Sequence, residues 1–150
     1  MMKPTVIALL QVTALCAVFV HDLVDYHNGL GFSIVDTLWT CAVVFVGGFL
    51  TAGGANAINM WYDQDIDPFM GRTATRPVPS GEVSGRNALL FGVAIAVIGT
   101  AWFVQFANEV AAFWAAFSVL FYVLIYTMWL KRWTTQNIVI GGIAGSTPPV

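Results

Sequence analysis

The chain has 150 residues, 58% of them hydrophobic and 9% charged, with a formal net charge of −2 and a mean hydropathy of +0.76. An average soluble domain carries roughly 25% charged residues, so this composition excludes an ordinary water-soluble domain and points to lipid as the main solvent. Its six Lys and Arg residues are scattered beside carboxylates, which excludes the basic stripe that nucleic acid or a soluble acidic partner would need.

Segments close to the ~20 residues needed to cross a ~30 Å hydrocarbon layer follow one another along the sequence. The first covers residues 4–20 and is expected to be a retained helix, because no small-residue cleavage pattern leads into a soluble domain. The others cover 37–62, 87–107 and 110–130, and a further one begins near Ile138 and is still running at Val150. The expected fold is therefore all-α: a multi-span transmembrane helical bundle of four full spans and the start of a fifth. Lys3, Arg72, Arg76, Arg86, Lys131 and Arg132 all fall on one side of that arrangement, whereas 21–36 and 108–109 contain no Lys or Arg. The positive-inside rule then places the amino terminus at the cytoplasmic side of a cell (inner) membrane.

In the first connection, His21 and His27 are either solvated loop histidines or ligands of a haem iron. Cys16 and Cys41 read as packing residues in apolar helices and not as a disulfide or metal pair. The second span carries Gly47, Gly48, Gly53 and Gly54 with Ala52 and Ala55. Such small surfaces let helices approach closely in lipid, and here they either pack alone or also widen a cavity beside Asn56 and Asn59.

That span ends in Asn59-Met60-Trp61-Tyr62-Asp63-Gln64-Asp65-Ile66-Asp67. Ionisable groups are costly at the end of a long apolar segment, which makes them a site by default. At ~100° per residue on an α-helix, Asn59, Asp63 and Asp67 drift only about 80° around the axis, and Asp65 points roughly 160° away from Asp67. The stripe is an Asn and two carboxylates facing one cavity. Hard oxygens at this spacing suit Mg²⁺, which keeps waters and takes one or two carboxylates plus substrate phosphates. Pro68 is expected to stop the helix, since it cannot donate the next backbone bond.

The Pro- and Gly-rich stretch 68–81 follows, too irregular for one helix. Arg72 and Arg76 either fold back over the acidic face, where their guanidinium forks match phosphate oxygens bidentately, or serve as positive-inside anchors, or pair with Asp65 and Glu82. Ser84 is expected to cap the third helix, and Gln105, Asn108 and Glu109 to form a short turn before the fourth. At its far end, Lys131 and Arg132 read as topological anchors. Trp61, Tyr62, Trp129 and Trp133 form an interfacial belt, unless some face an allylic cation through their rings.

These motifs resemble the protohaem IX farnesyltransferase (haem O synthase) family within the UbiA superfamily of intramembrane prenyltransferases. The resemblance rests on NMWYDQDID at 59–67, RTATRPVPSG at 72–81, LKRWTTQNIVIGGIAGSTPP at 130–149 and a weaker KPTVIALLQVTAL at 3–15. The first two also look like chlorophyll synthase, and the 130–149 block favours the haem enzymes. It implies transfer of the farnesyl group of farnesyl diphosphate to a vinyl group of haem B, giving haem O, a precursor of haem A, with terminal-oxidase haem-assembly proteins as possible partners. Carried over by position, Asn59, Asp63 and Asp67 would hold Mg²⁺ on the diphosphate, and Arg72, Arg76, Lys131 and Arg132 would neutralise its oxygens. Members of the family carry more spans than the four and the start of a fifth expected here, and a second Asp-rich motif in the carboxyl-terminal half, whereas no second Asp-rich segment follows Asp67 in this sequence. Residues 1–150 are thus expected to be the amino-terminal part of a single prenyltransferase domain, inactive alone.

Other readings remain open on sequence. A different UbiA-type prenyltransferase would act on a chlorophyllide, a quinone precursor or glycerol phosphate. A CDP-alcohol phosphotransferase would need Asp-Gly and Ala-Arg elements that this chain lacks. A cation transporter or a non-catalytic assembly protein would also place carboxylates in lipid, and against transport the carboxylates sit at one mouth and not near the midplane.

Overall fold

The computed structural model describes residues 4–31, 33–71 and 73–133. The Arg72 position and the 134–149 part of the resemblance, with its fifth span, lie outside the described residues. So does the side chain of Arg132. Every regular element among the described residues is helical, and four helices are long and apolar enough to cross a membrane. Large aliphatic side chains such as Leu9, Val12, Leu38, Val97 and Leu120 project from the bundle, which water would penalise and lipid does not.

Helix α1 (Pro4–His27) has 24 residues, about 36 Å at 1.5 Å per residue. It runs seven residues beyond the expected end of the first apolar segment, so His21, Asp22 and Asp25 lie on helix and not in a loop. The ladder continues because polar side chains past the hydrocarbon edge cost nothing there, and His21 sits 3.6 Å from Asp22 and 3.5 Å from Asp25. Ser33 then caps helix α2 (Ile34–Tyr62) by accepting from the Asp36 backbone N–H at 3.4 Å. Thr37, near the start of α2, donates to Asp22 Oδ2 at 2.5 Å, tying the two helices at this end.

Helix α2 is the hub: it touches α1, α3 (Gly85–Phe106), α4 (Glu109–Leu120) and the segment beyond α4. Its most extensive partner is α3, and glycines explain why. A Cβ on Gly54 would meet Ala96 N and Gly92 O at 2.7 Å, and one on Gly99 would meet Thr51 N at 2.9 Å. Backbone lies against backbone, as small residues permit in lipid. On the same helix Gly47 leaves space for the rings of Phe103 and Trp102, and Trp102 Nε1 donates to Val43 O at 3.1 Å. Gly48 receives the side chain of Gln11 from α1, whose Nε2 donates to Phe45 O at 2.8 Å. Packing therefore accounts for Gly47, Gly48 and Gly54.

Ser84 and Asn108 cap α3 and α4, accepting from Asn87 N and Ala111 N. The fourth span is not uniformly α-helical. After Leu120 it becomes a π-helix over Phe121–Leu130, followed by one α turn at Lys131–Trp133. Apolar periodicity is blind to this change, because every residue from Phe121 to Ile125 is apolar or aromatic whichever ladder it joins.

Two substitutions separate close packing from open space. Gly54→Ala is expected to lose about 1–3 kcal/mol through overpacking, because the atoms it meets are backbone, while Gly71→Ala, with nothing within 4 Å, leaves stability unchanged. Thermal unfolding in detergent decides it: equal midpoints for the two variants would refute tight α2–α3 contact.

Candidate functional site

Helix α2 ends at Tyr62, earlier than a helix stopped by Pro68 would. Asp63 is its C-cap, donating its backbone N–H to Asn59 O, and the chain tightens into 3₁₀ turns at Asp63–Asp65 and Asp67–Phe69. Pro68 lies inside the second turn, where its fixed φ fits and its missing N–H is not needed. The single α-helical stripe is thus replaced by an α-to-3₁₀ transition, yet its sidedness survives. Asn59 is 2% exposed and Asp63 and Asp67 are completely buried, whereas Asp65 is exposed. Asn56, one turn earlier, is buried too.

Two cations come to these carboxylates from different parts of the chain. Arg76 Nη1 lies 2.6 Å from Asp67 Oδ2. Lys131, 68 residues further on, donates from Nζ to Asp63 Oδ2. Arg76 thus folds back over the acidic face and pairs with Asp67, a partner that no reading of the sequence named. The loop is shaped for it: Thr73 Oγ1 donates to Asp67 O at 2.9 Å, and Arg76 N donates to Thr73 O at 3.1 Å. Two carboxylates facing two cations leave the site formally neutral, and each pair needs that balance, since an unpaired buried charge costs about 3–5 kcal/mol.

Only one oxygen of each carboxylate is engaged in this way. Asp63 Oδ1 and Asp67 Oδ1 are buried, and neither has a hydrogen-bond partner among the described residues. Leaving a buried polar atom unmade costs about 1–3 kcal/mol. Two orphaned hard oxygens beside a buried Asn are what Mg²⁺ would need from the protein if phosphate and water complete its coordination. Among the described residues no three His, Cys, Asp or Glu side chains gather, so a metal here would depend on ligands from elsewhere.

Thr127 was not apparent from the sequence as a site residue. It is fully buried in the π-helical segment and meets Asn59 Nδ2 at 3.1 Å. Its one sequence signal is its position four residues before Lys131, inside an otherwise apolar run. Beside it, Tyr62 Oη donates to Met128 O at 3.2 Å, and Tyr122 and Tyr126 stack at 5.1 Å. Trp129 and Trp133 are exposed, as side chains of an interfacial belt would be. His21 and His27 lie at the opposite end of α1 from its amino terminus, across the bundle from the Asp motif by the alternation of the spans. Cys16 is exposed and Cys41 partly so, and neither is in a disulfide.

Comparison with known proteins places the chain among prenyltransferases. A protoheme IX farnesyltransferase of Chloroflexus aurantiacus is 44% identical over 148 residues, covering 99% of this chain and 24% of that protein. Proteins of the same name from Bartonella henselae and Afipia carboxidovorans are each 43% identical over 150 residues, all of this chain and 45% and 44% of their own lengths. The chain thus spans less than half the length of each of these relatives. No solved structure matches it. The model of the UbiA prenyltransferase family matches residues 26–150, including the buried Asp63 and Asp67 with their two cations and the π-helical segment, and the chain belongs to that family.

Proposed function

We propose that this chain is the amino-terminal part of a protohaem IX farnesyltransferase domain, and that its buried Asp face is the half-site that receives the diphosphate of farnesyl diphosphate with Mg²⁺. The observation that carries the reading is the pair of carboxylates, each with one oxygen held by a cation and the other buried and unengaged. The names of the relatives supply the acceptor, haem B, and the family supplies prenyl transfer. The side of the bundle carrying Lys131, Arg76 and Arg86 faces the cytoplasm of the cell membrane under the positive-inside rule.

Asn59, Asp63 and Asp67 are the residues that would hold the metal, through hard oxygens. When bound with the diphosphate, Mg²⁺ supplies electrostatic stabilisation of the leaving group. Lys131 and Arg76 do the same from the protein side. Both reach the carboxylates on flexible stems while staying partly exposed, so each can exchange a carboxylate oxygen for a phosphate oxygen. Arg76 offers a guanidinium fork to two oxygens at once, and Lys131 a compact charge. Arg72 and Arg132 are proposed as further cations of the same set. As the allylic C–O bond ionises, negative charge grows on the diphosphate where these cations lie. The haem vinyl group is the nucleophile toward the farnesyl cation, and water closes the new cation to give haem O. Terminal-oxidase haem-assembly proteins would receive that product.

Asp63→Asn and Lys131→Met are each expected to lower turnover of the full-length protein by 100-fold or more, about the loss seen when one charge-stabilising group is removed from a reacting centre. Haem O formation from haem B and farnesyl diphosphate is the readout. Turnover near wild type with normal membrane abundance would refute the assigned roles. Chelation with EDTA should abolish the reaction and added Mg²⁺ restore it, and activity that survives EDTA would remove the metal from the proposal. Farnesyl transfer to a chlorophyllide or quinone precursor in preference to haem B would keep the site and overturn the acceptor.

A further inference from the structure

We infer that Thr127 is a positioning residue that decides which end of the Asn59 carboxamide faces the metal–diphosphate site. The inference rests on the role of Asn59 proposed above. Thr127 is completely buried, and its hydroxyl has one proton to give. Its Oγ1 lies 2.9 Å from Tyr122 O, a carbonyl that can only accept, so the proton is spent there. The remaining contact, 3.1 Å to the Asn59 side chain, must therefore be one in which Thr127 accepts. Only Nδ2 of Asn59 can donate into it. Turned over, the carboxamide would set Oδ1 against Oγ1 with no proton between them. Asn59 is thus held with its amide nitrogen on Thr127 and its oxygen on the other branch, and oxygen is the atom a hard cation takes.

The π-helix is what makes Thr127 available for this. Elsewhere in the chain Thr51 and Thr100 spend their protons on carbonyls four residues back, at 2.9 and 3.0 Å. These are the ordinary back-bonds of helical threonines. Thr127 reaches five residues back, to Tyr122, along the wider ladder that also carries the Lys131 N–H to Tyr126 O. The same winding brings Thr127 to Asn59 and Lys131 to Asp63, each across 68 positions in sequence.

The test uses the full-length protein in detergent and follows thermal unfolding as Mg²⁺ is titrated at a fixed concentration of inorganic diphosphate. Thr127→Val removes the hydroxyl at nearly constant shape and is expected to raise the half-saturating Mg²⁺ concentration by about tenfold, the lower end of the loss seen when a partner orienting a metal ligand is deleted. Thr127→Ser keeps the hydroxyl and is expected to stay within about twofold of wild type. A purely structural role would lower the ligand-free unfolding midpoint and leave the half-saturating Mg²⁺ concentration unmoved. Thr127→Ala replaces the valine variant if that one does not accumulate. Asn59→Ala separates the two levels of the argument. If it weakens the Mg²⁺ response while Thr127→Val does not, the inference fails and the site reading stands. If Asn59→Ala leaves the response unchanged, both fail.

Discussion

Two carboxylates with no exposure to solvent, at the end of a helix otherwise built for lipid, can stay ionised only if a cation meets each of them. Asp67 finds Arg76 nine residues ahead, within one folded-back loop. Asp63 finds Lys131 at the end of the fourth span. The second pairing has the larger structural reach, because it closes a ring made of α2, α3 and α4. Asn59 to Thr127 and Tyr62 to Met128 add two more ties along that seam. The end of the bundle near Asp63 is thus held by polar bonds and charge.

Its interior is held differently. Between α2 and α3, Gly54, Gly92 and Gly99 bring main chains into contact, and the buried apolar cluster of Val43, Phe103 and Ala112 lies further toward the opposite end. Lipid tails compete well with apolar side chains, so close approach and a few directed bonds decide which helices pair. Trp102 on Val43 O and Gln11 on Phe45 O are bonds of that kind. The two carbonyls they use belong to residues two apart on α2, so that one short stretch of this helix anchors both α1 and α3.

Much of this was legible in the amino-acid order, and the exceptions have physical causes. Spacing alone separated Asp63 and Asp67 from Asp65, because sidedness survives the change from an α ladder to 3₁₀ turns. Ser84 as a cap and the glycines as packing surfaces were legible for the same local reason. The extra turns of α1 were not, since hydropathy marks where apolar residues stop and not where hydrogen bonds do. Neither was the π-helix: its ladder is chosen by what its far end must reach, and Asn59 and Asp63 are remote in sequence. Thr127 was missed with it. A lone Thr in an apolar run reads as a helix residue bonded to its own backbone until a partner on another helix comes into view.

The π-helical segment also makes the site sensitive to arithmetic as well as chemistry. Each residue of a helix turns the chain by about 100°, so a ladder that spans five residues per bond instead of four stores an offset in angle that all later residues inherit. Side chains between Phe121 and Tyr126 are partly buried or face outward and can vary among apolar types. Their number cannot vary in the same way, because losing one would swing Lys131 away from Asp63 and Thr127 away from Asn59 together. Over this stretch, selection should tolerate exchanges of letters and resist changes in length.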